Sequence, residues 1–468
     1  MTMNNNTKDF SIEIFEILKI ENLRSQSISI KDMPGSASIN KHKKEFQLSF
    51  NGIFKYPAKG KLEINIDEQE YEIGSSDFRY PTSWHKKFDN IECNHTFDID
   101  SIERGNLKKS TSFRMFFFDN SKRNYLFHHK LESPKYDGVV PWAFNCVRII
   151  IDGNRYDIVQ YKTADASYIV IENHDPVSYK DFKKDSYAIQ KGIGYLIGYM
   201  PGGEHYIFSG SNFEYQRLAR VCLKSIYYPV TKDPYSFVDL HDDKETINFY
   251  KEKLSVIPLN VISKFVQQIK DNEDFSVTVL YLMEVLHLKS IVSMPGAFSV
   301  VLESLANIII NPSRIKTKLI SDNELADEIM GELNLVIDKY SSQLDNESII
   351  KLKRKLYAVN SPINPRRITN AMKLREPFDQ LGIKLSLNDE HAIEYRNYLL
   401  HGNILMNDGN VRSSNEIDDH MMYISAKLYT LISKLLLKYC GFSGYVVNHA
   451  KFHASEKSPK KNYYFEEI

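Results

Sequence analysis

Residues 388–403 read Asn388-Asp-Glu-His-Ala-Ile-Glu-Tyr-Arg-Asn-Tyr-Leu-Leu-His-Gly-Asn403, a pattern that predicts a capped amphipathic helix. Asn388 belongs to the residue types that cap helix N-termini, and Asp389 and Glu390 suit the positive end of the helix dipole. Gly402 suits the left-handed conformation in which many helices end. The stretch therefore predicts that the C-terminal part of the chain is helical.

Arg396 lies in the middle of the apolar stripe of this helix. At about 100° per residue, Ala392, Ile393, Leu399 and Leu400 fall within roughly 60° of it. Because arginine stays charged at ordinary pH, this position needs an anionic partner, or the stripe must open onto a cleft or a subunit interface.

Asn397 and His401 are i, i+4 neighbours on the flank of the same stripe. His401 falls in the last turn, where the negative end of the dipole favours the protonated ring and keeps its titration near physiological pH. Such a group can serve as a general acid or base. A plainer alternative stays open: Arg396 pairs with a core carboxylate such as Glu303 or Glu284, and His401 only caps the helix.

The motif Arg396-Asn397-x-x-x-His401 resembles the R-x4-H motif of HEPN ribonucleases. This resemblance implies an antiparallel helical bundle that forms a homodimer and cleaves RNA without a metal, with the ribose 2′-hydroxyl as nucleophile. It also implies that His401 is the general acid or base, that Arg396 holds the scissile phosphate, and that Asn397 orients the substrate. A fixed planar cation and a proton-transfer group suit the charged transition state of phosphoryl transfer.

The remaining C-terminal sequence repeats apolar residues at three- and four-residue spacing. Besides the motif helix, the predicted helices are Ile247–Lys270, Phe275–Ser290, Ala297–Ile310, Leu319–Ser341, Ile349–Ala358, Arg367–Leu381 and Ile417–Tyr439.

The first half of the chain is instead rich in β-forming residues between glycine and proline turns. The predicted strands are Phe46–Phe54, Lys61–Ile66, Thr111–Phe118, Val147–Ile151, Tyr156–Tyr161, Tyr168–Glu172 and Glu204–Ser209. Asp152-Gly153 predicts a hairpin turn, and a helix is expected at Lys184–Tyr199.

The fold class that follows is α+β, with a β-rich N-terminal domain before an all-α, HEPN-like bundle. We expect an N-terminal arm at 1–44, a β-rich sensing or regulatory domain at 45–240, the bundle at 244–441 and a basic polar tail at 442–468. This layout is similar to ApeA-type HEPN proteins of bacterial anti-phage defence, which implies an abortive-infection function with a phage-derived trigger.

Composition adds limits on compartment and partners. Sixty basic and sixty acidic side chains cancel, so RNA contact requires local patches such as the lysines of the tail. Four scattered cysteines without a CxxC pair argue against a disulfide framework or a zinc cluster, and no stretch approaches the length of a membrane span. We therefore expect a cytoplasmic protein that does not enter membranes.

Three other patterns are better explained by structure or by chance, so neither a metal nor a cofactor is expected. His128-His129 lacks a second ligand pair, and His449 and His453 lie in a polar segment. Gly192-x-Gly194-x-x-x-Gly198 departs from the dinucleotide fingerprint and is better explained by close helix packing.

Two rival functions remain. The bundle is a non-catalytic dimerisation module beside a binding β domain, or the chain resembles HepT-type toxins. Those toxins carry R-x4-H-x-Y, whereas this chain has Asn403 at the tyrosine position.

Overall fold

The structure is a computed structural model of the 468-residue chain. It describes residues 9–23, 27–42, 45–57, 60–80, 92–134, 145–236, 244–310, 320, 322–359, 370–400, 413–453 and 464–468. For residues 396–400 it describes the helical backbone only.

The predicted α+β class is confirmed, because strands dominate the first half of the described chain and helices the second. The strands are β1 (Ile28–Ile30), β2 (Gly35–His42), β3 (Glu45–Gly52), β4 (Lys61–Ile66), β5 (Gln69–Gly74), β6 (Cys93–Ile99), β7 (Ser101–Arg104), β8 (Arg114–Phe118), β9 (Cys146–Ile151), β10 (Asn154–Lys162), β11 (Ser167–Asn173), β12 (Tyr199–Met200), β13 (Glu204–Ser209), β14 (Asn212–Arg217), β15 (Leu223–Lys224), β16 (Tyr445–Val447) and β17 (Phe465–Glu467). The helices are α1 (Ser11–Glu21), α2 (Ser76–Arg79), α3 (Tyr179–Ile197), α4 (Lys244–Lys253), α5 (Leu259–Asp271), α6 (Glu273–Leu288), α7 (Met294–Ile309), α8 (Asn323–Lys339), α9 (Asn346–Val359), α10 (Asn370–Gln380), α11 (Leu387–Leu400), α12 (Ser414–Tyr439) and α13 (His449–His453).

Ten of the described strands form one antiparallel sheet in the order β1-β4-β5-β7-β14-β13-β8-β11-β10-β9. The predicted turn at Asp152-Gly153 joins β9 to β10 with both residues at positive φ, 48° and 81°. Two consecutive positive φ angles match the twist of the flanking strands, which is why Asp-Gly favours this hairpin.

Both faces of this sheet are covered. In β8, Phe116 points to one face and Met115 and Phe117 to the other, because side chains alternate along a strand. On the Phe116 side pack α1 and the three-stranded sheet β2-β3-β6. On the other side pack α3 and helices of the C-terminal half.

The expected N-terminal arm is wrong for the described residues before Glu45. Helix α1 buries Ile14, Ile17 and Ile20 in the core beside Phe116, and β1 and β2 belong to the two sheets. Helix α1 carries apolar residues on its exposed side as well as on its buried side. Its sequence therefore does not show a distinct apolar stripe.

The helix predicted at Ile247–Lys270 is two helices. Pro258 lacks a backbone N–H and occupies the N-cap of α5, so α4 ends before it. Helix α3 begins at Tyr179, five residues before the predicted start, because the Ser178 hydroxyl accepts the Asp181 N–H. The other predicted helices occur, and their described ends lie within four residues of the predicted ones.

Helix α12 runs through the centre of the helical half. Every residue from Ile424 to Leu437 is buried, as expected for a helix with neighbours on all sides. One continuous apolar cluster joins α12 to α5, α3 and the sheet, so the core crosses the expected boundary between residues 240 and 244.

The C-terminal segment is not simply a polar tail. Strands β16 and β17 pair with each other, Val446 and Phe465 are buried, and His449 packs against Tyr227. The lysine-rich residues 454–463 lie outside the described residues.

Candidate functional site

Helix α11 carries Arg396 and Asn397 of the R-x4-H motif, and its N-terminus is fixed by a side-chain cap. The helix begins one residue before the expected cap, so Ser386 takes the capping role that we expected of Asn388. The Ser386 hydroxyl accepts the Asp389 N–H at 3.3 Å, and the Asp389 carboxylate accepts the Ser386 N–H at 2.8 Å. These two reciprocal hydrogen bonds provide partners for two backbone N–H groups that have none within the helix.

Asp389 also anchors α11 to the centre of the bundle. Its carboxylate lies 2.6 Å from Nζ of Lys427 on α12, and the two side chains are 3% and 5% exposed. Lys427 lies 3.5 Å from Glu466 on β17, and Glu466 also pairs with Lys434 and accepts a hydrogen bond from Asn448. Three distant segments of the chain therefore meet in one buried ionic network.

The charges of this network stabilise one another. Burial alone would raise the pKa of Asp389, but Lys427 holds that pKa below its ordinary value. Burial alone would lower the pKa of Lys427, but Glu466 and Asp389 raise it. Both groups therefore stay ionised at neutral pH, which makes the network a rigid attachment for α11.

The two sides of α11 have different environments. Ala392, Ile393 and Tyr395 are buried in the core, where α11 contacts α7 and α12. On the outer side, Arg375 of α10 donates to Glu394 at 2.7 Å and lies 3.6 Å from Glu390. The charge of Arg375 is therefore compensated by the carboxylates of α11.

Two of the three predicted catalytic residues fall in the last turns of this anchored helix. Arg396 and Asn397 lie in the helical backbone of α11, as predicted, but their side chains lie outside the described residues. His401, Gly402 and Asn403 lie wholly outside the described residues. The catalytic geometry and the expected Gly402 cap therefore stay predictions.

One alternative partner for Arg396 is already engaged elsewhere. Glu284, on α6, accepts a hydrogen bond from Arg220 at 2.8 Å. Glu303, the other carboxylate that the sequence suggests, lies on α7, a helix that contacts α11.

The structure adds a histidine that the sequence pattern does not reveal. The ring of His420, on α12, lies 5.3 Å from the ring of Tyr395, the residue immediately before Arg396. A titratable group therefore lies beside the last turns of α11. No local spacing could have indicated it, because the contact is made between two helices.

The described residues also contain one cluster with metal-ligand chemistry. Asp157, Glu172 and His174 offer ligand atoms within 4.8 Å of one another. Asp157 already accepts two hydrogen bonds from Arg148, at 2.7 Å and 3.0 Å, and Glu172 lies 3.3 Å from Arg114. Two guanidinium groups thus supply the positive charge that a cation would bring, so the cluster is an ionic network of the sheet.

The histidine and glycine patterns have structural roles. Nε2 of His449 lies 2.8 Å from the backbone carbonyl oxygen of Tyr228. A Cβ on Gly192 would lie 2.9 Å from Val266, and one on Gly194 would lie 2.6 Å from Met200. The prediction of close packing at these glycines is confirmed.

Neither protein-family models, curated proteins nor solved structures provide a match for this chain. Within the described residues, no helix has the length and apolarity needed to cross a membrane.

Proposed function

We propose that the chain is a metal-independent endoribonuclease of the HEPN type. The observation that carries this proposal is the position of Arg396 and Asn397, the first two residues of the R-x4-H motif, in the last turns of α11, a helix whose start is held by the buried Asp389–Lys427 pair. An anchored helix holds catalytic groups in a defined position, which reactions with a strict geometry require.

The chemistry follows from the residue types. His401 accepts the proton of the ribose 2′-hydroxyl or donates one to the leaving 5′-oxygen, and solvent water exchanges the other proton. The 2′-oxygen attacks phosphorus and the bond to the 5′-oxygen breaks, which yields a 2′,3′-cyclic phosphate and a 5′-hydroxyl end. Arg396 holds the phosphate oxygens through paired N–H donors, and Asn397 orients the substrate. No metal takes part in this scheme.

A homodimer forms part of the proposal, and helices α8 and α9 supply a surface for it. Ala326 is the one buried residue among those described in α8. On the two helices and the loop between them, nine large apolar side chains are exposed: Leu325, Leu333, Leu335, Val336, Tyr340, Leu344, Ile350, Leu352 and Tyr357. Exposed apolar surface of this extent is typical of a protein interface.

Their arrangement gives each helix an apolar stripe. At about 100° per residue, Leu325, Leu333 and Val336 fall within about 80° of one another on α8. Ile350 and Tyr357, seven residues apart on α9, share one face and are 67% and 68% exposed.

The charges beside these stripes favour a second copy of the chain as the partner. Helix α8 carries five acidic side chains and one lysine, whereas α9 carries four basic side chains and one glutamate. In a two-fold dimer, α8 of each copy can pack against α9 of the other, so that opposite charges meet twice. Such a dimer also supplies two copies of the motif.

We propose that this enzyme acts in abortive infection in the cytoplasm, with a phage product as trigger sensed through the β-rich half. The exposed stripes of α8 and α9 also fit a second candidate function, a non-catalytic interaction module. The ribonuclease requires His401 for its effect, whereas the non-catalytic interaction module does not.

The deciding experiment is cleavage of RNA by purified protein in EDTA, with wild type, Arg396→Ala and His401→Ala compared. His391→Ala is the matched control, because His391 is an exposed histidine of the same helix. We expect cleavage by wild type and His391→Ala and none by the other two, with 2′,3′-cyclic phosphate ends on the products. Growth and total RNA in bacteria expressing the same variants, with and without phage, test the trigger.

Equal cleavage by wild type and His401→Ala would remove the proposed site. A defence phenotype that persists in His401→Ala would instead favour the interaction module.

A further inference from the structure

A cavity of about 690 Å³ lies where the β-rich half meets the helical half. Its lining comes from α3, from the loop and strand between Leu218 and Leu223, and from the end of α6. A volume of this size is typical of sites for small molecules.

Most of the lining is apolar, with Met200, Leu218, Leu223 and Leu288 among the residues that form it. Such walls suit the hydrocarbon or aromatic body of a ligand.

Lys191 supplies the charge that decides the ligand class. Its Nζ donates to the Ser276 hydroxyl at 2.8 Å, and within the described part of the chain no carboxylate pairs with it. Burial and the nearby Arg220 lower the pKa of Lys191. A half-buried ammonium group that lacks a counter-ion favours an anion beside it.

The other polar groups of the lining agree with an anionic ligand. Arg220 is compensated by Glu284 at 2.8 Å. Among the charged residues that line the cavity, the positive charge of Lys191 therefore has no counterpart. Nδ1 of His287 accepts the Lys224 N–H at 3.2 Å, which leaves Nε2 of this ring as a further donor. The lining therefore combines apolar walls with donors and one positive charge.

We propose that this cavity binds a small amphipathic anion, with an apolar body and a single carboxylate, sulfonate or phosphate group held by Lys191. The bound molecule contacts both α3 and α6 and so bridges the two halves of the chain. This inference does not depend on the ribonuclease proposal, because it rests on residues far from the motif in sequence and needs no RNA cleavage for its test.

The test is a fluorescence titration of the full-length protein with 8-anilinonaphthalene-1-sulfonate, beside its uncharged analogue N-phenyl-1-naphthylamine. Lys191→Met removes the charge, Lys191→Arg keeps it, and Lys180→Met is the matched control at an exposed lysine of the same helix. The exposed apolar stripes of α8 and α9 also bind either dye. The quantity compared is therefore the difference in fluorescence between wild type and each variant at residue 191.

We expect Lys191→Met to weaken binding of the sulfonate about tenfold, as loss of a charged hydrogen bond does, with binding of the neutral dye unchanged. Lys191→Arg and Lys180→Met should bind the sulfonate as wild type does. Thermal unfolding of each variant shows whether it is folded. Identical sulfonate titrations of wild type and folded Lys191→Met would overturn the proposal, as would an equal loss of both dyes.

Discussion

Asp389 shows how one side chain can connect the candidate site to the rest of the molecule. It caps α11 through Ser386 and neutralises Lys427, and Lys427 also faces Glu466 from the C-terminal strand. The sequence identified Asp389 only as an acidic residue that suits the helix dipole. Its buried partner lies 38 positions further along the chain, beyond the reach of any helical spacing.

We predict that Asp389→Asn destabilises the protein by about 3 kcal/mol, because it leaves a buried ammonium group with a weakened counter-charge. The value is at the lower end of the usual range, since Glu466 remains 3.5 Å from Lys427. Urea unfolding at neutral pH measures it. Glu347→Gln, in an exposed pair with Lys351, is the control and should cost less than about 0.5 kcal/mol.

The same pair gives a pH dependence with a definite sign. The pKa of Asp389 is lowered from its ordinary 3.8, so its stabilisation is fully present above pH 3.8 and declines as the pH falls through the lower, folded-state pKa. The Asp389→Asn variant should therefore lose less stability than wild type below pH 3.8. Parallel losses in the two proteins would show that the pair contributes little.

At the scale of helices, α8 and α9 differ from the rest of the C-terminal half. They contact each other through the Lys353–Asp338 ion pair at 2.7 Å, and most of their described apolar side chains are exposed. Sequence periodicity predicted these helices correctly, but it could not show which stripe is left uncovered. A buried stripe and an interface stripe have the same spacing, and only the positions of neighbouring elements distinguish them.

We predict that charge reversal on either helix weakens the proposed dimer. Glu328→Lys with Glu332→Lys on α8, or Lys351→Glu with Arg354→Glu on α9, should place like charges together and raise the dimer dissociation constant at least tenfold. All four substitutions in one chain should restore association. Sedimentation equilibrium measures this, with Lys180→Glu plus Lys184→Glu on α3 as the control.

A monomeric wild type would contradict the prediction, as would a four-substitution variant as weak as either pair. Either result would favour a partner other than a second copy. Wild type would also be monomeric if a segment of the same chain covers these stripes.

The molecule as a whole is bound by a core that both halves share. Phe265 and Val266 of α5 pack against α3 near Gly192, and the Ser263 hydroxyl accepts the Ile150 N–H of β9 at 3.0 Å. Lys270 of α5 also lies beside Asp185 of α3 and Asp152 of the β9–β10 turn. The change from strands to helices along the chain is therefore not a boundary between independent units.

We predict that residues 244–468 expressed alone do not form a cooperatively folded unit, because α5 would expose the apolar face that α3 and the sheet cover. Far-UV circular dichroism during heating measures this, with the full-length chain as reference. A sharp unfolding transition of the fragment, with a dispersed NMR spectrum, would show that the helical half is self-sufficient.

The sequence alone determined the fold class, the Asp152-Gly153 hairpin, and, within the described chain, most helices and seven of the seventeen strands. These depend on spacing within a few residues, on turn chemistry and on proline and glycine positions, which act locally. It also supplied the R-x4-H motif, and the proposed chemistry still rests on those residue types. Tertiary structure alone decided that the described residues before Glu45 join the core and that β17 returns to pair with β16. It also decided that Lys427 unites α11 with the C-terminal strand, because burial and ion pairing depend on which distant segments meet.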